Sequence, residues 1–412
     1  MIGRKTTKWT AASCPFLLAL FVMGCQHTPP ALYEVRFDTE PAIRVLAAWN
    51  NDTWTIHNGP ERIELARTND STFQVPVFDG SWVGTWVGGE FQGVWTDSLR
   101  PGNYRIPFQC VPVANQPETG PTTTTVWQTS EGTMTLRQRG DSLSGTIATP
   151  TGDYRHLSGL RSGSEWSIHT FDGAHLFGFF FETADDLAFE GTFLSGNHYR
   201  TAFSGSLATT NDEFENSYSS DCQGFVVRFT DESGGDDSLV FSADTPPMVV
   251  DIMGTWCPNC MDEARLIQSL RDDHPDVPVV SLAYERSEGK QALDRIASFA
   301  KGMGIGWDVL HAGPASKSHA SNQFPCLDGV KSFPTTIFWG GPDDVVVHSG
   351  FKGPATGKGY DEERLFFKQQ FKRLSGLKES RRRDPPQSGP FVWPVPKPCG
   401  RPACQFPRSC RT

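Results

Sequence analysis

The sequence predicts a multi-domain chain, an N-terminal all-β sandwich or barrel region followed by a C-terminal α/β domain. Three observations predict it. Short alternating apolar runs broken by Gly, Asn, Asp and Pro fill residues 31–208. Strand-like and helix-like segments alternate after residue 221. A cysteine pair, "WCPNC", stands where one of those strands turns into a helix. At 412 residues and 37% hydrophobic, the chain can bury two or three cores. Its 40 Gly and 30 Pro imply many turns, and its 12 Trp and 29 Phe suit pleated surfaces that broad rings cover.

The first residues read as an export signal rather than as structure. Arg4, Lys5 and Lys8 precede the apolar run "PFLLALFVMG", and Cys25 follows directly. The run is shorter than the roughly 20 apolar residues of a membrane-spanning helix. "VMGC" resembles a bacterial lipoprotein box, with Val in place of the usual Leu, which implies cleavage after residue 24 and lipidation of Cys25. The expected location is therefore the periplasm or cell envelope, on a lipid anchor. With a net charge of −10, and with basic residues concentrated in the first residues and in the tail, the body is acidic. An acidic body excludes nucleic acid as a partner class, because phosphates need a basic surface.

Residues 25–115 and 126–208 are expected to form two β-modules, divided at "QPETGPTTTT". The segment "FQVPVF", the run "GSWVGTWVGGEFQGVW" and "WSIHTFDGAHLFGFFF" read as strands and hairpins, with "GDSLSG" and "FDGAH" as turns. The polar stretch 207–221 is a second break. Beyond it come a hairpin over "GFVVRFTDESGGDDSLVF", a strand "MVVDIM", a helix over 258–271 and a strand "VPVVSLAYE". A helix over 289–301, the strand "WDVLHAG", a short helix near 315–322, the strands "TTIFWG" and "DVVVHSG", and a helix over 361–374 complete residues 223–376. Residues 377–412 are basic and Pro-dense and are expected to be disordered.

Cys14 and Cys25 belong to the signal region, which leaves eight of the ten cysteines for the exported body. In an oxidising compartment a Cys-x-x-Cys pair is a disulfide exchanger, half of a zinc site, or a structural bridge. Zinc needs a second ligand pair, and "CPNC" has none downstream. A structural bridge over two intervening residues closes too small a loop to stabilise much. A single-cysteine peroxidase needs a proline ahead of its Thr and Cys that is absent here. Exchange is what remains. At a helix start, unpaired N–H groups favour the Cys257 thiolate and lower its pKa from about 8.5 into the range of about 3.5–7.5. Cys257 attacks and Cys260, one turn inward, resolves.

"VVDIMGTWCPNC" resembles the active-site segment of the thioredoxin superfamily, and "SFPTTIFW" resembles its cis-proline segment, with Pro334 as the cis residue. The longer gap between them, with the export signal, resembles the TlpA/ResA-type thiol–disulfide oxidoreductases over about residues 224–374. That resemblance implies a thioredoxin-like domain and a redox-active Cys257–Cys260 disulfide. It further implies client contacts at Trp256 and Phe333, no cofactor, and re-reduction by a membrane electron donor of the DsbD/CcdA type. Asp251 matches the buried acid that accepts the Cys260 proton, and Glu285 resembles the glutamate that tunes the cysteines. Client protein disulfides are the implied partners. The competing reading is a cell-envelope binding or scaffold protein whose β-region holds the partner.

Cys110 and Cys222 flank the second β-module and are a candidate bridge. Cys326 is expected as a buried small residue or a bridge. The tail cysteines Cys399, Cys404 and Cys410 lack a fourth ligand, and His169, His175 and His198 read as turn and surface residues, so no metal site is expected. "TGDYRHLSG", "FDGAHLFGFFF" and "GTFLSGNHYR" resemble the β-domain that precedes the thioredoxin-like domain in some exported TlpA-family proteins.

Overall fold

In a computed structural model, residues 31–97, 100, 104–114, 119–208, 216–220 and 222–383 are described. The signal segment with Cys25 and the three tail cysteines lie outside them. Three sheets hold most of the regular structure among the described residues, and helices are few.

The first sheet has nine antiparallel strands between Ala31 and Pro112. Alternation builds it: Val35 and Phe37 point into its core while Arg36 stays exposed. Its interior is aromatic, with Trp54, Trp82 and Trp95 fully buried. The Trp82 and Phe108 ring centroids lie 4.4 Å apart, at the close end of aromatic packing.

The second sheet, Thr122–Leu207, closes on itself. Thr133–Arg139 pairs with Thr122–Thr129 on one side and with Ser142–Thr149 on the other, which joins the two ends of the strand order. Closure removes the exposed edges that an open sheet presents. The threonines expected to belong to a break begin its first strand, since β-branched side chains favour extended backbone. Phe179, Phe181, Phe193 and Phe203 fill the barrel. The two β-regions are joined by Asn58, whose side chain donates to Phe171 O (3.0 Å) and accepts from Phe171 N (3.3 Å).

The third sheet is mixed and has eight strands. Met248–Met253, Val279–Glu285 and Asp308–Pro314 run parallel, and Thr335–Gly341 and Asp344–Ser349 add on antiparallel. The hairpin Phe225–Thr230/Asp236–Phe241 borders the far side. Every residue of Met248–Met253 is buried, as expected for a strand covered on both faces. Helices α1 (Pro258–Asp273), α2 (Gly289–Met303), α3 (Lys317–Gln323) and α4 (Lys358–Arg383) accompany it. Leu266, Ile267 and Leu270 of α1 pack with Phe367, Phe371 and Leu374 of α4 over Val249 and Phe338.

Three expectations change. Ser217–Ser220, from the stretch expected to be a break, forms a strand that pairs outside Asp344–Ser349. The α4 helix runs to Arg383, into the segment expected to be irregular from 377. Cys222 is bonded to Cys326, not to Cys110. Cys110 is a free thiol paired in register with Val35 inside the first sheet, where burial pushes its pKa up and no second sulfur of the described residues is bonded to it.

Candidate redox site

The site forms where Met248–Met253 ends and α1 begins. Cys257 is the N-cap of α1, with extended backbone (φ −104°, ψ 112°), and Pro258 occupies the first turn, where its missing N–H costs nothing. Cys257 Sγ accepts the Cys260 N–H at 3.2 Å, so one of the unpaired donors of the helix start is aimed at this sulfur. Cys257 and Cys260 form a disulfide, and both are buried.

The Phe333–Pro334 peptide is cis, and the Phe333 carbonyl oxygen lies 3.4 Å from Cys257 Sγ. Trp256 stands edge-on to Phe333, with centroids 5.6 Å apart, and its indole N–H donates to Tyr284 O at 2.9 Å. Arg286 covers the Trp256 ring at 4.4 Å. The sequence-predicted Cys257, Cys260, Trp256, Phe333 and Pro334 are thus brought together.

Asp251 and Glu285 take different positions. Asp251 is buried in the strand leading to the motif and accepts from Ser281 Oγ at 2.7 Å, while its Oδ1 has no partner. Burial pushes its pKa up to about 7 against the smaller pull of Ser281. Glu285 spends both oxygens on Thr255, accepting its N–H at 2.9 Å and its hydroxyl at 2.7 Å. Arg295 Nη2 donates to Thr255 O at 3.0 Å from α2. Glu285 therefore fixes the loop two residues ahead of Cys257.

Sequence reasoning missed Glu263. It sits one turn beyond Cys260 on α1, is buried, and accepts a hydrogen bond from Thr336 Oγ1. Burial, then the neighbouring Asp251 carboxyl, pushes its pKa well above the ordinary value. The available signal was spacing, since position i+3 from Cys260 shares its helix face.

The three histidines lie apart in function. His169 is buried and takes the Arg44 N–H at 3.4 Å, with its pKa pushed down to about 3 by burial. His198 meets Tyr104 and Arg100, and His175 meets Asp172. Among the described residues, no group of three or more His, Cys, Asp or Glu is placed to hold a metal ion.

The second sheet covers this site. Asn259 Nδ2 donates to Asp153 O (3.3 Å), and Asp153 Oδ2 accepts the Gly353 N–H (2.9 Å). Arg155 lies buried between Glu61 of the first sheet and Asp262 of α1, 3.4 Å from the latter. Gly152 has φ +147°, and a Cβ there would overlap the Asn259 amide, so the hairpin tip needs glycine.

No protein-family model and no curated protein matches the chain. Two solved structures are similar to part of it. One is MTB dsbF in mixed oxidized and reduced forms: 16% identity, 36% of this chain and 93% of that chain covered, TM-score 0.25. The other is a thiol:disulfide interchange protein of the thioredoxin family from Chlorobium tepidum TLS: 15% identity, 39% and 99% covered, TM-score 0.27.

Proposed function

We propose that the chain is an exported thiol–disulfide oxidoreductase with a thioredoxin-like domain over residues 223–376, acting as a reductase of protein disulfides. One observation carries the reading: a Cys257–Cys260 disulfide capped on a helix start beside a cis-proline segment. In the reduced protein, the Cys257 thiolate attacks a client disulfide and forms a mixed disulfide. Cys260 then attacks Cys257 Sγ and releases the client thiolate. Asp251, whose pKa burial pushes up to about 7, receives the Cys260 proton, with the Glu263 carboxyl, also pushed up by burial and by Asp251, on the same helix face as Cys260. Glu285 acts as a positioning residue through Thr255.

Export, lipidation at Cys25 and re-reduction by a membrane donor of the DsbD/CcdA type belong to the same proposal, supported by "VMGC" and by the motif's resemblance. The test is trapping. Cys260→Ala is expected to accumulate mixed disulfides through Cys257, and a variant that traps nothing while the β-region alone retains a partner favours the scaffold reading. Equilibration with glutathione sets the direction: a potential near the oxidising end of the range from about −270 to −120 mV excludes a reductase.

A further inference from the structure

Between the redox motif and the second sheet lies a cleft of about 560 Å³. Cys257, Trp256 and Phe333 form one wall, and Glu131, Tyr154, Asp172, His175 and Phe177 stand on the other. Cys257 is only 5% exposed, and this cleft reaches it. The far wall is held in place by the Asp153, Gly152 and Arg155 contacts described above, so it is part of the site.

Two features define what fits. The first is size: about 560 Å³ suits a short extended segment and leaves no room for a folded domain. The second is the combination of rings with carboxylates. Trp256, Phe333, Tyr154 and Phe177 offer aromatic surface, Glu131 offers negative charge, and the buried Asp172 adds to it from behind its contact with His175 (3.2 Å). Glu131 accepts the Tyr154 hydroxyl through one oxygen at 2.6 Å. The single arginine on the wall, Arg155, is shared by Glu61 and Asp262, so carboxylates outnumber cations around the cleft. Arg286, stacked on Trp256, does not line it.

We infer that the client is an extended peptide segment bearing a lysine or arginine beside its disulfide, seated in this cleft between Cys257 and the second sheet. The inference rests on the oxidoreductase reading and names its substrate class. Cys257 Sγ bonds to one client sulfur as the client S–S bond breaks, and the second client sulfur leaves as thiolate and takes a proton from water. Cys260 then bonds to Cys257 Sγ and expels the first client sulfur as thiolate. Two electrons pass from the protein dithiol to the client, and a thiol reductant resets the pair.

The test uses the full chain, reduced with dithiothreitol and desalted, in single-turnover mixing with four disulfides. These are a short peptide with Arg beside its cysteine, the same peptide with Glu there, glutathione disulfide, and a folded disulfide protein. Reoxidation of Cys257–Cys260 is read by quenching, alkylation and mass. The Arg peptide is expected to react at least about tenfold faster than each of the others, about 1.4 kcal/mol of preference. Glu131→Gln and Asp172→Asn are expected to shrink its lead over the Glu peptide, and if Asp172→Asn fails to fold, Glu131→Gln decides. Equal peptide rates, a faster Glu peptide, a folded protein matching the Arg peptide, or a lead unchanged by Glu131→Gln overturns the inference alone. A disulfide that fails to exchange even with dithiothreitol removes the oxidoreductase reading with it.

Discussion

The two walls of the cleft are built on different principles. The Cys257 wall is a strand end and a helix start, with two bonded sulfurs at the helix cap, a cis-proline segment beside them and buried carboxyls on the neighbouring strands and helix. The facing wall is a closed barrel whose rim offers no thiol, only rings, carboxylates, hydroxyls, Arg155 and hairpin backbone. Reactivity belongs to the first and access to the second. A wall with no thiol can still decide which disulfide reaches the sulfur.

Cys257→Ser breaks the comparison most severely. It should reduce disulfide exchange by more than about a hundredfold, since the remaining thiol, Cys260, is buried and does not line the cleft. A change confined to the barrel rim, such as Glu131→Gln, should leave exchange with dithiothreitol near the wild-type rate. Stopped-flow exchange with dithiothreitol measures both. Arg155→Met attacks the joint between the walls instead: it leaves the partly buried Glu61 without its cation and buried Asp262 with Arg265 alone, and should cost roughly 1.5–3 kcal/mol in urea unfolding. Removal of the Cys222–Cys326 bridge, which spans 104 residues within the mixed-sheet region, should cost roughly 2–4 kcal/mol while Cys257–Cys260 still exchanges. Exchange lost together with that bridge would show that the mixed sheet needs it to form the site.

The two walls also differ in how far the sequence discloses them. Cys257, Pro258 and Pro334 are legible because each answers a local need: a capped helix start, a proline tolerated in the first turn, a strand entered through X-Pro. The hairpin, the parallel strands and the helix starts follow from apolar periodicity for the same reason. Tyr154, Asp172 and His175 obey only turn grammar, so their place opposite Cys257 depends on barrel closure, a long-range pairing that spacing does not encode. Cys222 and Cys326 escaped for a related reason. Their approach requires Ser217–Ser220 to join the third sheet, and three serines around the one ring of Tyr218 carry too little hydrophobic signal to mark a strand. Glu285 ends a strand edge as expected, but its role against Thr255 is fixed by a loop conformation that no pattern reports.

Asp251→Asn separates the walls by their response to pH. The folded carboxyl holds its proton up to about pH 7, whereas an unfolded one releases it near 3.8. Between those values the folded state binds more protons, so this group lowers stability as pH rises, by at most about 1.4 kcal/mol per unit. Asparagine cannot ionise. The variant should therefore gain on the wild type from about pH 4 to 7 in urea unfolding, and hold its gain above that. The raised Glu263 carboxyl contributes with the same sign, and loss of the Asp251 charge should let it ionise at lower pH. Mixed disulfides on Cys257 should persist longer in the variant near neutrality, because Cys260 has lost its proton acceptor. The barrel's choice between Arg and Glu peptides should not move. If the choice moves with the slope, the two walls are coupled through α1, whose Asp262 and Asn259 already touch the barrel.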